Sequence, residues 1–415
     1  MESGSKKRHS RFLLRICLGF GLLGLLLIVS WFGANFLATW DLDSVYENLL
    51  KDGYAIALSD LAPPPIPEEE SSTKSYQKVL EPFEDLDVPE DLDLFGNPVD
   101  LDIATDWLKE HQSSMKAFLS IENPTKCRFG WEYEKGLFAI KVDVLTSARE
   151  ASRALTLQAK IHSMNGNQEG ARECLIRTHD MSRLFEKEPY IFAQLIRINI
   201  REMIFSAIND CVPSVPEQKE LESWQNFIHS LTPIEGAVEF GFRGWVAIQA
   251  QLFQSLQEEN SFTRENPDLA INGGVYDPIL KWDAAYSLRT IRKVVELAKS
   301  PYYRIHQKLE LLTEEVSELP RWKYPLTLML FPNIHMALKM EALNKCRLLI
   351  LKTGIRCELD RLEYGSYPEQ INIIDPLTGK PLEYDREIGR IHTTHPTYIT
   401  GRKSDSIAWK LRNFK

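Results

Sequence analysis

Few residues in this chain combine the type and spacing that chemistry needs. His392-Thr393-Thr394-His395 sets two imidazoles three residues apart, and imidazole nitrogens hold zinc or copper when further donors converge. On an extended segment those two rings point to opposite faces, so a metal there needs ligands from elsewhere. Glu314-Glu315 is a carboxylate pair of the kind used for general acid and base work, but it falls on a polar helix face and reads as solvated charge. Asn272-Gly273-Gly274 has the composition of an anion-binding backbone nest, and turn chemistry explains the same residues first. Asp91-Leu92-Asp93-Leu94-Phe95-Gly96 opens like a calcium loop, yet Phe95 replaces an oxygen ligand and no glutamate stands at the twelfth position. GxSxG, HExxH, the phosphate-binding loop and CxxC are all absent. The residues therefore name no catalytic, cofactor-binding or metal-binding group.

The element that organises the rest is Ile16 to Ala38, 23 residues without a charge and with Asn35 as the only strongly polar side chain. At about 1.5 Å per residue, such a helix crosses a hydrocarbon core of roughly 30 Å. Lys6, Lys7, Arg8, Arg11 and Arg15 precede it, and Asp41, Asp43 and Glu47 follow it. That asymmetry places residues 1–15 in the cytoplasm and the chain after Trp40 on the far side, with Trp31 and Trp40 suited to the outer interface. A cleaved signal peptide is the competing reading. Cleavage after Ala38 would leave Phe36 at the −3 position, a poor match to the small residues required. Leu14-Arg15-Ile16 before Cys17 is equally unsuited to lipoprotein processing. Gly19-Phe20-Gly21-Leu22-Leu23-Gly24 is formally GxGxxG, but it lies inside an apolar helix instead of following a strand.

Composition sets further bounds. The 415 residues are 44% hydrophobic and 26% charged, ordinary values for a globular chain. Of the charged groups, 44 basic and 57 acidic ones lie beyond residue 40, and a chain of that sign binds nucleic acid poorly. Five cysteines follow the apolar run (Cys127, Cys174, Cys211, Cys346 and Cys357) with no dense framework; export permits a disulfide, the odd count leaves at least one thiol over, and buried, unpaired thiols are expected for most of them. Trp131, Trp224, Trp245, Trp282 and Trp322 are scattered over helical stretches and read as core.

Along the chain, Leu42, Val45, Leu49 and Leu50 have helical spacing up to Gly53 and extend the membrane helix as a stalk. Tyr54 to Leu58 reads as extended, and Pro63-Pro64-Pro65-Ile66-Pro67 as polyproline-like. Residues 66–106 carry 13 acidic groups against Lys74 and Lys78 and read as a solvated spacer. Helices are then expected at Leu137–Met164, Gln168–Glu186, Tyr190–Cys211, Leu221–Leu231, Glu235–Gln257, Trp282–Lys299, Tyr302–Leu319 and Asn333–Tyr364. Ala159 to Ala171 has the glycine and small-residue spacing of one TPR-like helix pair, without the 34-residue repeat an array requires. Residues 258–278 form the longest interruption. Short strands are expected at Leu382–Tyr384, Ile388–Thr394 and Ile407–Leu411, after a turn at Asp375-Pro376-Leu377-Thr378-Gly379.

The tail also carries a resemblance. Leu359 to Glu369, with Tyr364-Gly365-Ser366-Tyr367-Pro368, and then Asp375-Pro376-Leu377-Thr378-Gly379-Lys380-Pro381-Leu382-Glu383-Tyr384, resembles the C-terminal end of uncharacterised membrane-anchored proteins of planctomycetes and relatives. Leu58 to Pro67 and Glu188-Pro189 fall at matching places along the chain. No activity comes with that group. The cassette is also distantly similar to the C-terminal part of type II secretion pseudopilins. Here Thr397 to Asp405 replaces the acidic calcium loop some of them have, and no prepilin cleavage site is present.

The expected fold is therefore mainly α, with one N-terminal transmembrane helix, a multi-helix ectodomain built as a bundle or short solenoid, and a small C-terminal β element. The expected divisions are a cytoplasmic basic tail at 1–15, the anchor at 16–38, a stalk with the PPPIP segment and acidic linker at 39–102, a helical ectodomain at 103–332, and a long helix with the β cassette at 333–415. The expected place is a bacterial inner membrane, N-terminus in the cytoplasm and ectodomain in the periplasm, with lipid contact through 16–38, no cofactor, no metal and no nucleic acid. A scaffold or protein-interaction role fits these features. Two alternatives stand beside it: an enzyme with its site near 258–278, and a pseudopilin-like component of a secretion apparatus.

Overall fold

Helix α1 runs without a break through the apolar run and the stalk. In the computed structural model, which describes residues 3–84, 101–135, 142–212, 217–257, 274–387, 390–394, 398–399, 402–403 and 408–410, it spans Ser3–Lys51. Among the described residues it is the one helix long and apolar enough to cross a membrane. Gly53, with φ 77°, ends it in the left-handed conformation that only glycine adopts cheaply. The following residues are irregular and Leu58–Leu61 is a 3-10 turn, so the extended piece expected there does not form.

The other helices follow as α2 Thr73–Leu80, α3 Leu101–Glu110, α4 Gln112–Leu119, α5 Val142–Met164, α6 Gln168–Leu184 and α7 Ile191–Cys211. After these come α8 Gln218–Ser230, α9 Ala237–Gln257, α10 Asp277–Ala298, α11 Tyr302–Ser317, α12 Pro325–Leu330 and α13 Ile334–Tyr364. The chain is mainly α, with a small antiparallel sheet at its end. That sheet has the order β1 Glu383–Asp385, β2 Arg390–His392, β5 Ala408–Lys410, and a separate pair joins β3 Tyr398–Ile399 to β4 Arg402–Lys403. Tyr384 pairs with Ile391, and Ile391 with Trp409, in antiparallel register.

Two compact units emerge, and they do not follow chain order. The first holds Met1–Ile56, Val246–Arg292 and Glu315–Pro332; the second holds Ala57–Trp245, Lys293–Glu314 and Asn333–Lys415. In the first unit, Ala38, Leu42, Val45 and Leu49 form one buried stripe of α1 at helical spacing. Polar contacts line the same helix: Lys281 Nζ donates to Asn35 Oδ1 at 2.8 Å and Thr39 Oγ1 at 3.0 Å, Arg289 pairs with Asp41, and Arg292 with Asp52. The short helix α12 starts against a distant cap. Asp283, fully buried, accepts from the backbone N–H groups of Leu326 at 2.7 Å and Thr327 at 3.1 Å.

In the second unit, α5, α6 and α7 pack on one another, and α13 lies on α7 and α8. Asn167 caps α6 by accepting from Gly170 N–H at 2.9 Å, and Asn333 caps α13 by accepting from Met336 N–H at 3.1 Å. One expectation is corrected here. Residues 73–83, placed in a solvated spacer, form α2 and a following turn, with Tyr76, Val79, Leu80 and Phe83 buried. The count of acidic groups hid a helical apolar stripe. That stripe is tied down by Tyr76 Oη donating to Pro124 O at 2.8 Å and Thr73 Oγ1 donating to Arg128 O at 2.9 Å.

The tightest approach in this unit is at Gly244 on α9, where an added Cβ would lie 1.5 Å from the carbonyl oxygen of Pro189. Backbone meets backbone there, and no side chain can swing aside. Gly244→Ala is expected to destabilise the fold by about 3 kcal/mol. Thermal unfolding of the detergent-solubilised chain measures it, and an unchanged midpoint would show that the contact is not made.

Candidate functional site

The second unit carries a cleft of about 710 Å³. Pro63 and Pro64 form one wall, the Glu186-Lys187 turn and Arg197 another, and Pro233 with Phe240 a third. Each wall has a local cause. The proline rings hold the first in an extended course, with Ala62 at ψ 130° and Pro67 at ψ 140°. Gln194 staples the turn after α6 by donating to Phe185 O at 2.8 Å and Glu188 O at 2.7 Å. Glu341 on α13 holds the first turn of α9 by accepting from Val238 N–H at 2.9 Å. A smaller cleft of about 350 Å³ shares Pro64, Glu186 and Lys187 and continues past Pro67 toward Lys126.

Behind the cleft wall, α7 carries buried cations. Arg197 is 7% exposed; its Nη2 lies 3.3 Å from Glu186 Oε1 and its Nε has no hydrogen-bond partner. Arg201, one turn further on, is 1% exposed, with Nε and Nη2 both lacking partners and its guanidinium 5.4 Å from the Phe205 ring centroid. Burial, reinforced by Arg197, pushes the Arg201 guanidinium down to about 10. Burial and then the charges of Arg201, Arg183 and Arg197 push His179 down to about 3. Glu202 lies opposite, accepting from Asn344 Nδ2 at 3.0 Å and from Arg347, and burial raises its pKa. A separate buried carboxylate, Glu188, accepts from Tyr133 Oη at 2.6 Å and Arg128 Nη1 at 3.2 Å. It fastens the loop after α4 to the α6–α7 turn.

The candidates read from the sequence do not converge. His392 on β2 sits 2.8 Å from Glu383 Oε2 on β1, its cross-strand partner, and His395 lies outside the described residues. Among the described residues no group of three His, Cys, Asp or Glu could hold a metal ion. Glu315 accepts from Tyr286 Oη at 3.2 Å, and both it and Glu314 are exposed. Asp91 to Gly96, Asn272-Gly273 and residues 258–273 of the long interruption fall outside the described residues, while Gly274–Tyr276 forms a 3-10 turn leading into α10. Gly19, Gly21 and Gly24 are inside α1. The five cysteines beyond the apolar run are buried and outside any disulfide, and burial raises each thiol, Cys127 and Cys174 to about 12. Trp131, Trp224 and Trp245 are core and Trp282 is half-buried, but Trp322 is 72% exposed, against the core role expected of it.

Comparison with protein-family models, with curated proteins and with solved structures finds no match in any of the three. The residues the sequence reading missed are Arg197 and Arg201. Their signal was present: two arginines four apart, on a helix apolar over most of its circumference, share a face that must be partly buried.

The His179 environment has a measurable consequence. A base whose pKa is lower in the folded than in the unfolded chain takes up its proton mainly on unfolding, so acid favours the unfolded state. His179 stays neutral in the fold down to about pH 3, and in the unfolded chain it protonates near its ordinary 6.5. Stability from this residue is full above that value and declines as pH falls toward the folded pKa. His179→Gln is expected to show a smaller drop in Tm than the parent between about pH 7 and about pH 4.5. Equal drops in the two proteins would remove the assignment.

Proposed function

We propose that this is a single-pass membrane protein whose helical ectodomain serves as a protein-interaction module at the outer face of a bacterial inner membrane. The observation that carries the anchor is the surface of α1. Leu18, Phe20, Leu22, Leu23, Leu26 and Ile28 point in all directions around the helix, and each is more than half exposed. A helix apolar all round needs a partner of its own polarity, and lipid is the one its length fits. The basic residues before the run and the acidic ones after it support an N-terminus in the cytoplasm.

The proline-walled cleft supports the interaction reading. Its surface mixes Pro63, Pro64, Pro233 and Phe240 with Lys187, Arg197 and Glu235, which suits an extended protein segment better than a small polar metabolite. A photocrosslinking side chain placed at Leu61 or Phe240 is expected to give a discrete adduct in native membranes. The same pattern of products from Lys219, on an exposed face of α8, would sink the cleft as the contact surface.

Topology is tested with the cysteines themselves, since all but Cys17 are buried. In a Cys17→Ser background, Ser59→Cys is expected to react with a membrane-impermeant maleimide in intact cells, and Ser5→Cys only after lysis. The reverse pattern would overturn the orientation. Release of the chain by alkaline carbonate would overturn the anchor.

A further inference from the structure

We propose that the protein meets the bilayer at a second place: the segment around α12, led by Trp322 and Met329, lies on the outer leaflet beside the anchor. This rests on the anchor reading above and adds a lipid-contacting surface from a distant part of the chain.

Contacts within the first unit set the level of each element along α1. Lys281, near the start of α10, reaches Asn35 and Thr39 at the end of the apolar run. Arg292, about three turns further along α10, reaches Asp52, just past the end of α1. The start of α10 is therefore its lipid-proximal end. Asp283 lies two residues beyond Lys281, and its carboxylate accepts from Leu326 and Thr327 N–H. That bond pair holds the first turn of α12 close to where the apolar run ends.

Large apolar side chains stay exposed at this level. Trp322 is 72% exposed and Met329 63%, from the two ends of the α12 segment. Tyr276 is 65% exposed and precedes Asp277, which itself accepts from Lys281 at 2.8 Å; Trp40, 67% exposed, follows Thr39 on α1. In this unit, beyond the apolar run, Leu50 is the described large apolar side chain exposed at the other end. Tryptophan and tyrosine favour the headgroup region, where an apolar ring and a polar N–H or O–H are both satisfied. The thioether of Met329 fits the acyl boundary. Arg321 and Lys323 flank Trp322, as cations do where a segment faces anionic headgroups. Continuity with the anchor, ring chemistry and charge all point to lipid as the occupant.

Spin labels in the full chain, reconstituted in phosphatidylcholine–phosphatidylglycerol vesicles, test this. Labels at Trp322→Cys and Met329→Cys, in a Cys17→Ser background, are compared with Leu26→Cys in the anchor and Lys51→Cys at the far end of α1. The expected result is an oxygen-to-nickel-chelate accessibility ratio at 322 and 329 several-fold above that at 51 and approaching that at 26. A lipid-like ratio at 26 with a water-like ratio at 322 and 329 overturns the inference and leaves the anchor standing. Water-like ratios at 26 as well overturn both. Labels at 322 and 329 that are immobile and closed to both reagents indicate a protein occupant and also overturn it.

Discussion

The contact on which the first unit depends is the ammonium group of Lys281. Its side chain is 13% exposed, and it is held by Asp277 at 2.8 Å, Asn35 at 2.8 Å and Thr39 at 3.0 Å. A cation so enclosed is tolerated only with a carboxylate and good acceptors around it. The same contact answers a second requirement. Asn35 is the strongly polar side chain of the apolar run, and its amide oxygen, unpaired in lipid, would be costly. Pairing it with Lys281 marks the place along α1 where the exposed apolar surface ends and contacts with the rest of the first unit begin. The Asp41–Arg289 and Asp52–Arg292 pairs then follow in the same order along α1 and α10, and Asp283 holds α12 beside them.

The second unit takes cations deeper still, into a helical core. Arg197 and Arg201 are on the inner face of α7, and each is only partly satisfied by hydrogen bonds. What keeps them tolerable is the acidic company of Glu186 and Glu202, together with a histidine that gives up its proton. His179 remaining neutral is the less costly state when three guanidiniums are near. The cleft lies against this cluster through Arg197 and Glu186, so its charge is fixed by residues that are also holding the fold.

How much of this was legible in the sequence follows the range of the interactions involved. Elements governed by local signals came through. The α5–α6 turn, α7 and α13 stand out by apolar period and by Asn167, Asn333 and Gly365 at their ends, and the tail strands by alternation. Elements governed by distant residues did not. The six-residue helix α12 begins where a carboxylate 44 residues earlier in the chain caps it, and nothing local announces that. The stripe on α2 was outweighed by the acidic residues around it. The grouping of residues 246–292 and 315–332 with α1 is a tertiary fact with no periodic trace. Tryptophan in a helical stretch is usually core, and the exposure of Trp322 depends on which face of a short segment is turned outward.

The C-terminal cassette shows why the most distinctive motif in the chain was silent about function. Asp375 is buried, and its carboxylate accepts from Leu377 N–H at 2.8 Å, from Thr378 Oγ1 at 3.1 Å and from Thr393 Oγ1 beside β2. Tyr384 Oη donates to Pro368 O at 2.7 Å, and Tyr367 Oη donates to Glu358 on α13 at 3.2 Å. Gly354 leaves α13 bare where the Trp409 ring lies against it, since a Cβ there would come within 2.4 Å. Asp375, Tyr384 and Tyr367 of the motif are thus occupied in holding the turn, the strands and the end of α13 in place. Residues used in this way are constrained by geometry, so a likeness in them carries information about the fold of the tail. Chemistry, where a chain of this kind has any, has to be sought at surfaces whose side chains are not already committed. In this protein those are the proline-walled cleft and the exposed rings near the end of the apolar run of α1.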